Sequence, residues 1–253
     1  MKSRRIEACI GFVKFSLDVE GLSLTQEGEE QLRSILDEDV SANEAVEAII
    51  EQEGLSTVEY LPPAQENADY PGTSVPVNFF NIKDRSRARS LAARMANIRT
   101  VEILAQALPH AYDFELLKSL HASLYGDMYP SAGMIRTSAA SKRTVFCQPQ
   151  FIESMADEIF GKLRHDVYLK KLDRDDFIND YAYYMGEIEA LHPFKTGNGR
   201  AARLFFYLLA MNAGWNIDWQ SIEPDRMLEA DISAIDGDYQ PFISVLSPAV
   251  FPL

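Results

Sequence analysis

One stretch restricts this chain more than any other: His192-Pro193-Phe194-Lys195-Thr196-Gly197-Asn198-Gly199-Arg200-Ala201-Ala202-Arg203, running directly into Leu204-Phe205-Phe206-Tyr207-Leu208-Leu209. The apolar run reads as a buried helix, and the Gly-Asn-Gly turn in front of it leaves the first backbone N–H groups of that helix open to an anion. Arg200 and Arg203, three residues apart, fall on one helix face beside those N–H groups. His192 sits at the end of a preceding helix, and Pro193 predicts an extended backbone for it. A base next to bound phosphate points to phosphoryl or nucleotidyl transfer.

These residues resemble the Fic-family signature H-P-F-x-[D/E]-G-N-G-R-x-x-R, with Thr196 at the acidic position. A second block, from Leu120-His121 through Tyr125-Gly126-Asp127 to Tyr129-Pro130-Ser131-Ala132-Gly133 and Arg136-Thr137, resembles the family's L-H-x-x-L-[F/Y]-G-D-x-Y-P-W-A-G-x-x-R-T, with Ser131 in place of Trp. The resemblance implies a mainly α Fic fold with a small β-hairpin flap. It also implies AMP transfer from ATP to a Ser, Thr or Tyr hydroxyl of a target protein. His192 would be the general base and Phe194 the loop anchor. Lys195, Thr196, Gly197, Asn198 and Gly199 would line the phosphates, with Asn198 on the α-phosphate. Arg200 and Arg203 would hold the β- and γ-phosphates.

Residues Met134 to Val145 alternate and break at Ser138-Ala139-Ala140-Ser141, which reads as a short hairpin. By resemblance this is the flap, and Met134, Ile135, Arg136, Thr137, Thr144 and Val145 would dock a target strand by β-augmentation. Bacterial type II topoisomerases are the target class that the resemblance suggests. Thr196 is the departure with chemical weight, because the family's acid holds Mg2+ and a hard cation prefers a charged oxygen. Slow or metal-altered AMP transfer, transfer of another nucleotide or phosphate group, and a nucleotide-binding regulator without catalysis are the readings that this substitution leaves open. Hydrolytic removal of AMP is a third class.

Ahead of this region, Ile6, Cys9, Ile10, Val13 and Leu17 recur at helical spacing, predicting an amphipathic helix from Arg4 to Glu20 that Gly21 closes. Helices from about Gln26 to Leu36 and from Ser41 to Gln52 complete an acidic unit, residues 1–53, too small for a core of its own. Ser16, Glu20 and Gly21 match the family's inhibitory [S/T]-x-x-x-E-[G/N] pattern, and the unit resembles VbhA-type antitoxins. A carboxylate on Arg203 would take the place of a terminal phosphate. Residues 54–84, with Pro62, Pro63, Pro71, Pro76, Gly54 and Gly72, read as a tether, compatible with inhibition in cis or in trans within a homodimer. The catalytic part would be residues 85–253.

The arginines of the Asp84 to Leu108 helix read as a solvated face, Asp113 as the cap of a helix reaching Tyr125, and His121 as a packed residue. Helices follow from Pro149 to Arg164 and from Arg174 to Leu191. Residues Trp215 to Trp219 read as a connection to terminal helices near Glu223 to Ile235 and Tyr239 to Leu246. The net charge of −14 argues against a nucleic-acid or anionic-membrane surface. Two distant cysteines, Cys9 and Cys147, give neither a disulfide framework nor a metal motif, which suits the cytosol.

Overall fold

A computed structural model of the chain describes residues 2–57, 68–141 and 145–253. Its first helix, α1 (Lys2–Asp18), stops in a turn that its own sequence favours. Leu22 N–H donates to Leu17 O at 3.0 Å and Gly21 N–H to Asp18 O at 2.9 Å, the paired bonds of a Schellman motif. Gly21 takes the left-handed φ of 66° that this motif demands. The regular helix thus ends two residues before the spacing predicts, and Glu20 is its C-cap. Ser16 and Glu20, one turn apart, still share a face.

Helices α2 (Gln26–Leu36) and α3 (Ala42–Gln52) begin at Thr25, which accepts from Gly28 N, and at Ser41, which forms a reciprocal capping box with Glu44. Their apolar faces do not close on each other alone. Leu32, Ile35, Val46 and Ile49 belong to one continuous core with α1 and with the rest of the chain. The partner surface is α4 (Arg85–Ala105), started by Asp84, which accepts from Arg87 N at 2.7 Å.

The arginine face of α4 is the expected solvated surface only in part: Arg85, Arg87 and Arg89 are exposed, whereas Arg94 and Arg99 are half-buried. Arg94 donates to Glu53 Oε1 at 2.6 Å and Gln52 Oε1 at 2.7 Å. Arg99 makes a bidentate pair with Asp127, 2.7 and 2.9 Å, and reaches Asn43 at 3.0 Å. Arg89 donates to Glu20 O. Acidic and polar groups of the N-terminal helices meet basic groups of α4, so the arginines read as solvated because their partners lie some forty to seventy residues away.

The expected tether is packed in its second half. Residues 58–67, including Pro62 and Pro63, lie outside the described residues. From Asp69 to Pro76 the chain makes a tight antiparallel bridge. Pro71 and Gly72, the latter at φ 75°, turn it, and Thr73 N–H donates to Tyr70 O at 3.0 Å. Tyr70, Val75, Val77, Phe80 and Ile82 are buried, and Asn78 spends its side chain on the backbone of Pro76, Phe80 and Ile82. The Pro and Gly residues shape a turn here rather than a spacer.

Helices α5 (Phe114–Tyr125), α6 (Ile152–His165) and α7 (Arg174–Leu191) surround α8 (Asn198–Ala213). Residues 200–210 of α8 are buried on every side, which makes it the central helix of the fold. Gly214 ends it at φ 92°. Trp215–Ile217 is then strand β1, paired antiparallel with β2 (Val250–Pro252) beyond α9 (Pro224–Ile235) and α10 (Gln240–Leu246). That pairing corrects the expected plain connection. Its three-residue strands are too short to show alternation. Among the described residues no helix is long and apolar enough to cross a membrane.

Helix α1 is fixed to this frame by Phe12, whose ring lies 4.7 Å from Tyr207 and 5.4 Å from Trp219, and by Phe15, 5.4 Å from Trp219. Gly11 allows the approach, since a Cβ there would meet the Gln220 side chain at 1.9 Å. With a shared core, α1 and α8 should unfold together. Urea unfolding followed by tryptophan fluorescence and far-UV circular dichroism should give coincident transitions, and Phe12→Ala should lower stability by about 3–5 kcal/mol.

Candidate active site

The loop between α7 and α8 is locked from both sides. Phe194 is buried and its ring stacks on His121 at 3.9 Å. Asn198 Oδ1 accepts from Phe194 N at 2.8 Å, and Asn198 Nδ2 donates to Phe194 O at 2.7 Å. Phe194 is the loop anchor that the resemblance implies, and the Asn198 side-chain amide ties the loop to the first turn of α8.

His121 extends the same clamp. Gly133 N–H donates to its Nδ1 at 2.8 Å, so the other nitrogen carries the proton and Nε2–H donates to Thr196 O, also at 2.8 Å. Burial pushes its pKa down to about 4. This is the packed, neutral histidine that the sequence suggests.

His192 closes α7 in the left-handed region, φ 45° and ψ 59°, which corrects the extended backbone expected before Pro193. Its N–H bonds Ile188 O at 3.2 Å as a helix C-cap, and its carbonyl accepts from Arg136 Nε at 2.7 Å. The ring stacks on Phe146 at 3.7 Å, 9° from parallel, and lines a cavity of about 690 Å³. Tertiary contacts thus hold a conformation that the following proline disfavours.

Arg136, expected on the flap surface, is instead 2% exposed. It donates to the carbonyls of His192, Ser138 at 2.8 Å and Cys147, and its N–H donates to Pro193 O at 2.9 Å. A guanidinium with several donors suits a place where carbonyls of three segments converge. Of the other flap residues, Met134, Thr137 and Val145 are exposed, Ile135 is half-buried, and Thr144 lies outside the described residues. The expected hairpin is reduced, among the described residues, to one bridge between Ser141 and Val145 and a bond from Phe146 N to Ala140 O.

The same cavity takes in Lys195, Thr196, Gly197, Asn198, Gly199, Arg200 and Arg203. Gly197 begins α8 at φ 76°, and no side chain caps that helix end. A Cβ on Gly197 would stand 2.2 Å from the Tyr125 ring, and one on Gly199 would stand 2.9 Å from Arg203 Nη1. Gly197 is therefore required by close approach as well as by its left-handed turn, and Gly199 leaves room for the Arg203 guanidinium.

Arg200 and Arg203 are buried, at 6% and 3% exposure. Glu20 bridges them, Oε2 to Arg200 Nε at 3.0 Å and Oε1 to Arg203 Nη2 at 2.8 Å. Ser16 Oγ and Ser16 O also accept from Arg203, at 3.1 and 3.2 Å. Burial pushes the Glu20 carboxyl upward, but Arg200, Arg203 and Arg89 more than offset it, and the carboxyl lies below its ordinary range. The contribution of this contact is thus complete at neutral pH and is lost only as pH falls through the lowered value. Arg200 also donates to Ala93 O and Asn97 Oδ1, while its Nη2 is buried with no partner among the described residues. The expected contact of Glu20 with Arg203 is present, with Arg200 added.

The position that the resemblance assigns to the metal-holding acid does not fit Mg2+. Thr196 offers a neutral hydroxyl, and its carbonyl is taken by His121. Asp69 in the cavity wall is paired with Lys195 at 3.3 Å. Glu189 and Asp231 also line the cavity, yet among the described residues no group of three or more His, Cys, Asp or Glu could hold an ion.

Asp69 and Asn97 were not singled out by sequence reasoning, and Arg89 was read only as part of a solvated face. Asn97 had a signal, a polar residue between Ala96 and Ile98 on an apolar stripe of α4; Asp69 had none.

A left-handed histidine, a glycine turn and paired arginines at a helix start define an anion site of the Fic kind. Residues 111–210 match the Fic/DOC family. The chain is 33% identical over 186 residues to the probable protein adenylyltransferase Fic of Escherichia coli, covering 72% of this chain and 90% of that protein. The chain belongs to the Fic/DOC family. It is also 36% identical over 169 residues to the protein adenylyltransferase VbhT of Bartonella schoenbuchensis, 66% of this chain but only 35% of VbhT, so it spans about a third of that relative. Among solved structures it is similar to BepC of Bartonella tribocorum with bound AMPPNP, with a TM-score of 0.68 and 25% identity over 76% of this chain and 100% of that one.

The buried neutral His121 makes stability pH-dependent. The unfolded chain takes up a proton near pH 6.5, which the folded chain refuses until about pH 4, so stability should fall as pH drops through that window, by on the order of 3 kcal/mol in all. Urea midpoints measured between pH 7 and pH 4.5 should show this slope, and His121→Asn should flatten it while lowering stability at pH 7.

Proposed function

We propose that this chain is a protein adenylyltransferase that moves AMP from ATP to a hydroxyl of a target protein, and that its own Glu20 holds it inactive. The observation that carries the reading is the Glu20 carboxylate bridging Arg200 and Arg203. A carboxylate held by two buried guanidinium groups stands in for phosphate oxygens. The names of the similar adenylyltransferases and the AMPPNP bound by BepC support the nucleotide.

In this mechanism the target hydroxyl oxygen attacks the α-phosphorus while the His192 imidazole accepts the hydroxyl proton. The bond from the α-phosphorus to the bridging oxygen breaks, and pyrophosphate leaves with the electron pair. Arg200, Arg203 and the N–H groups at the start of α8 stabilise the charge that develops on it. Arg136 and Phe146 position His192, and Phe194, Asn198 and His121 position the turn. The exposed Met134, Thr137 and Val145 would present the target strand. With Glu20 in place, a terminal phosphate and the carboxylate compete for the same two arginines.

The test is incubation with ATP labelled on the α-phosphate, using the unmodified chain, Glu20→Gly, and Glu20→Gly with His192→Ala. Protein-bound label should appear with Glu20→Gly and fall by roughly 10²–10⁴-fold when His192 is also replaced. Retained label with His192→Ala would remove the assigned base. The neutral Thr196 favours a second reading, a nucleotide-binding regulator, under which ATP would raise the melting temperature of Glu20→Gly with no label transferred.

A further inference from the structure

Lys195 is not a solvated surface lysine. Its side chain is 12% exposed, it lines the cavity that holds His192, Arg200 and Arg203, and its ammonium lies 3.3 Å from Asp69 Oδ2. Asp69 comes from outside the 191–203 stretch, on the tight bridge to Pro76, and the burial of Tyr70, Val75 and Val77 fixes that bridge. An ammonium carries three donors, and this contact uses one of them. The next residue, Thr196, is neutral, and among the described residues no group of three or more His, Cys, Asp or Glu forms a metal cluster. Glu20 bonds Arg200 and Arg203, but Lys195 has a separate partner.

We propose that Lys195, positioned by Asp69, is the fixed cation of the nucleotide site and neutralises the bridging phosphates without a divalent metal. This rests on the nucleotide reading above. The polyphosphate brings several negative charges into a partly dehydrated cavity, where an unscreened cation at short range has a large effect. A lysine fixed on a carboxylate from a rigid turn is preorganised for that purpose. Asp69 is a positioning residue.

The test is nucleotide binding by calorimetry on the full chain carrying Glu20→Gly, with ATP and with AMP, in EDTA and in Mg2+. ATP affinity in EDTA should be within about threefold of that in Mg2+. Lys195→Met, which keeps the stem, should weaken ATP in EDTA by roughly tenfold and AMP by less than about threefold, because AMP lacks the bridging phosphates. Adding Thr196→Glu to Lys195→Met should restore ATP affinity in Mg2+ but not in EDTA. The proposal is overturned if Mg2+ tightens ATP tenfold or more while Lys195 is present, or if Lys195→Met and Lys195→Ala, each with an unchanged melting curve, bind ATP in EDTA as before. Absence of ATP binding in both buffers overturns the nucleotide reading itself, a result distinct from either of those.

Discussion

Two guanidinium groups, Arg200 and Arg203, are buried at the start of the central helix, and the site depends on what neutralises them. A buried charge that loses its partner costs about 3–5 kcal/mol. The chain answers with Glu20, an acid at the C-cap of α1, where the helix macrodipole disfavours a negative charge. Ser16, one turn earlier, Arg89 on the Glu20 carbonyl, and Ala93 and Asn97 on Arg200 complete the arrangement. An acid held at the wrong end of its own helix is stable only because of the two arginines. The Schellman turn, the aromatic contacts of Phe12 and Phe15, and the basic face of α4 all serve to bring α1 to that place.

The loop between α7 and α8 follows a different logic, in which polar groups bond within the protein. Asn198 bonds Phe194, His121 bonds Thr196, and Arg136 gathers carbonyls from His192, Ser138 and Cys147. Each of these is buried or nearly so, and in a low-dielectric setting a satisfied polar network fixes one geometry. The left-handed backbone of His192 is a product of that network. The imidazole of His192, the uncapped start of α8 and Lys195 line the cavity, and one nitrogen of Arg200 is buried with no partner among the described residues.

Much of this was legible in the sequence, in a way that follows the range of the interactions. The helices could be read from local signals, since Thr25, Ser41, Asp84 and Asp113 each cap the helix that follows. The site residues were legible as types because the glycine turn, the arginine spacing and His192 lie within twelve positions. Their division of labour was not. Whether an Asn meets a phosphate or its own loop, and whether Arg136 faces a partner or the core, is decided by atoms that spacing does not specify. Arg94 and Arg99 of α4 were not legible for the same reason: a charge opposite an acid from another segment has the same local pattern as a charge in water. The segment from Asp69 to Ile82 was hidden by its prolines, which mark a turn as readily as a tether.

The single core shared by α1, α2, α3 and α8 has a consequence for stoichiometry. An inhibitor that is a separate molecule must be made in sufficient amount, and dilution or faster turnover frees its target. Under the proposed inhibition, the Glu20 carboxylate is carried by the same polypeptide as the arginines that it bonds, at an effective concentration set by the fold and not by expression level. Neither dilution nor excess synthesis changes the ratio of blocker to site. Control must therefore reach the chain itself, by cleaving it, by loosening α1 from Trp219 and Tyr207, or by a ligand whose binding outweighs the bridge.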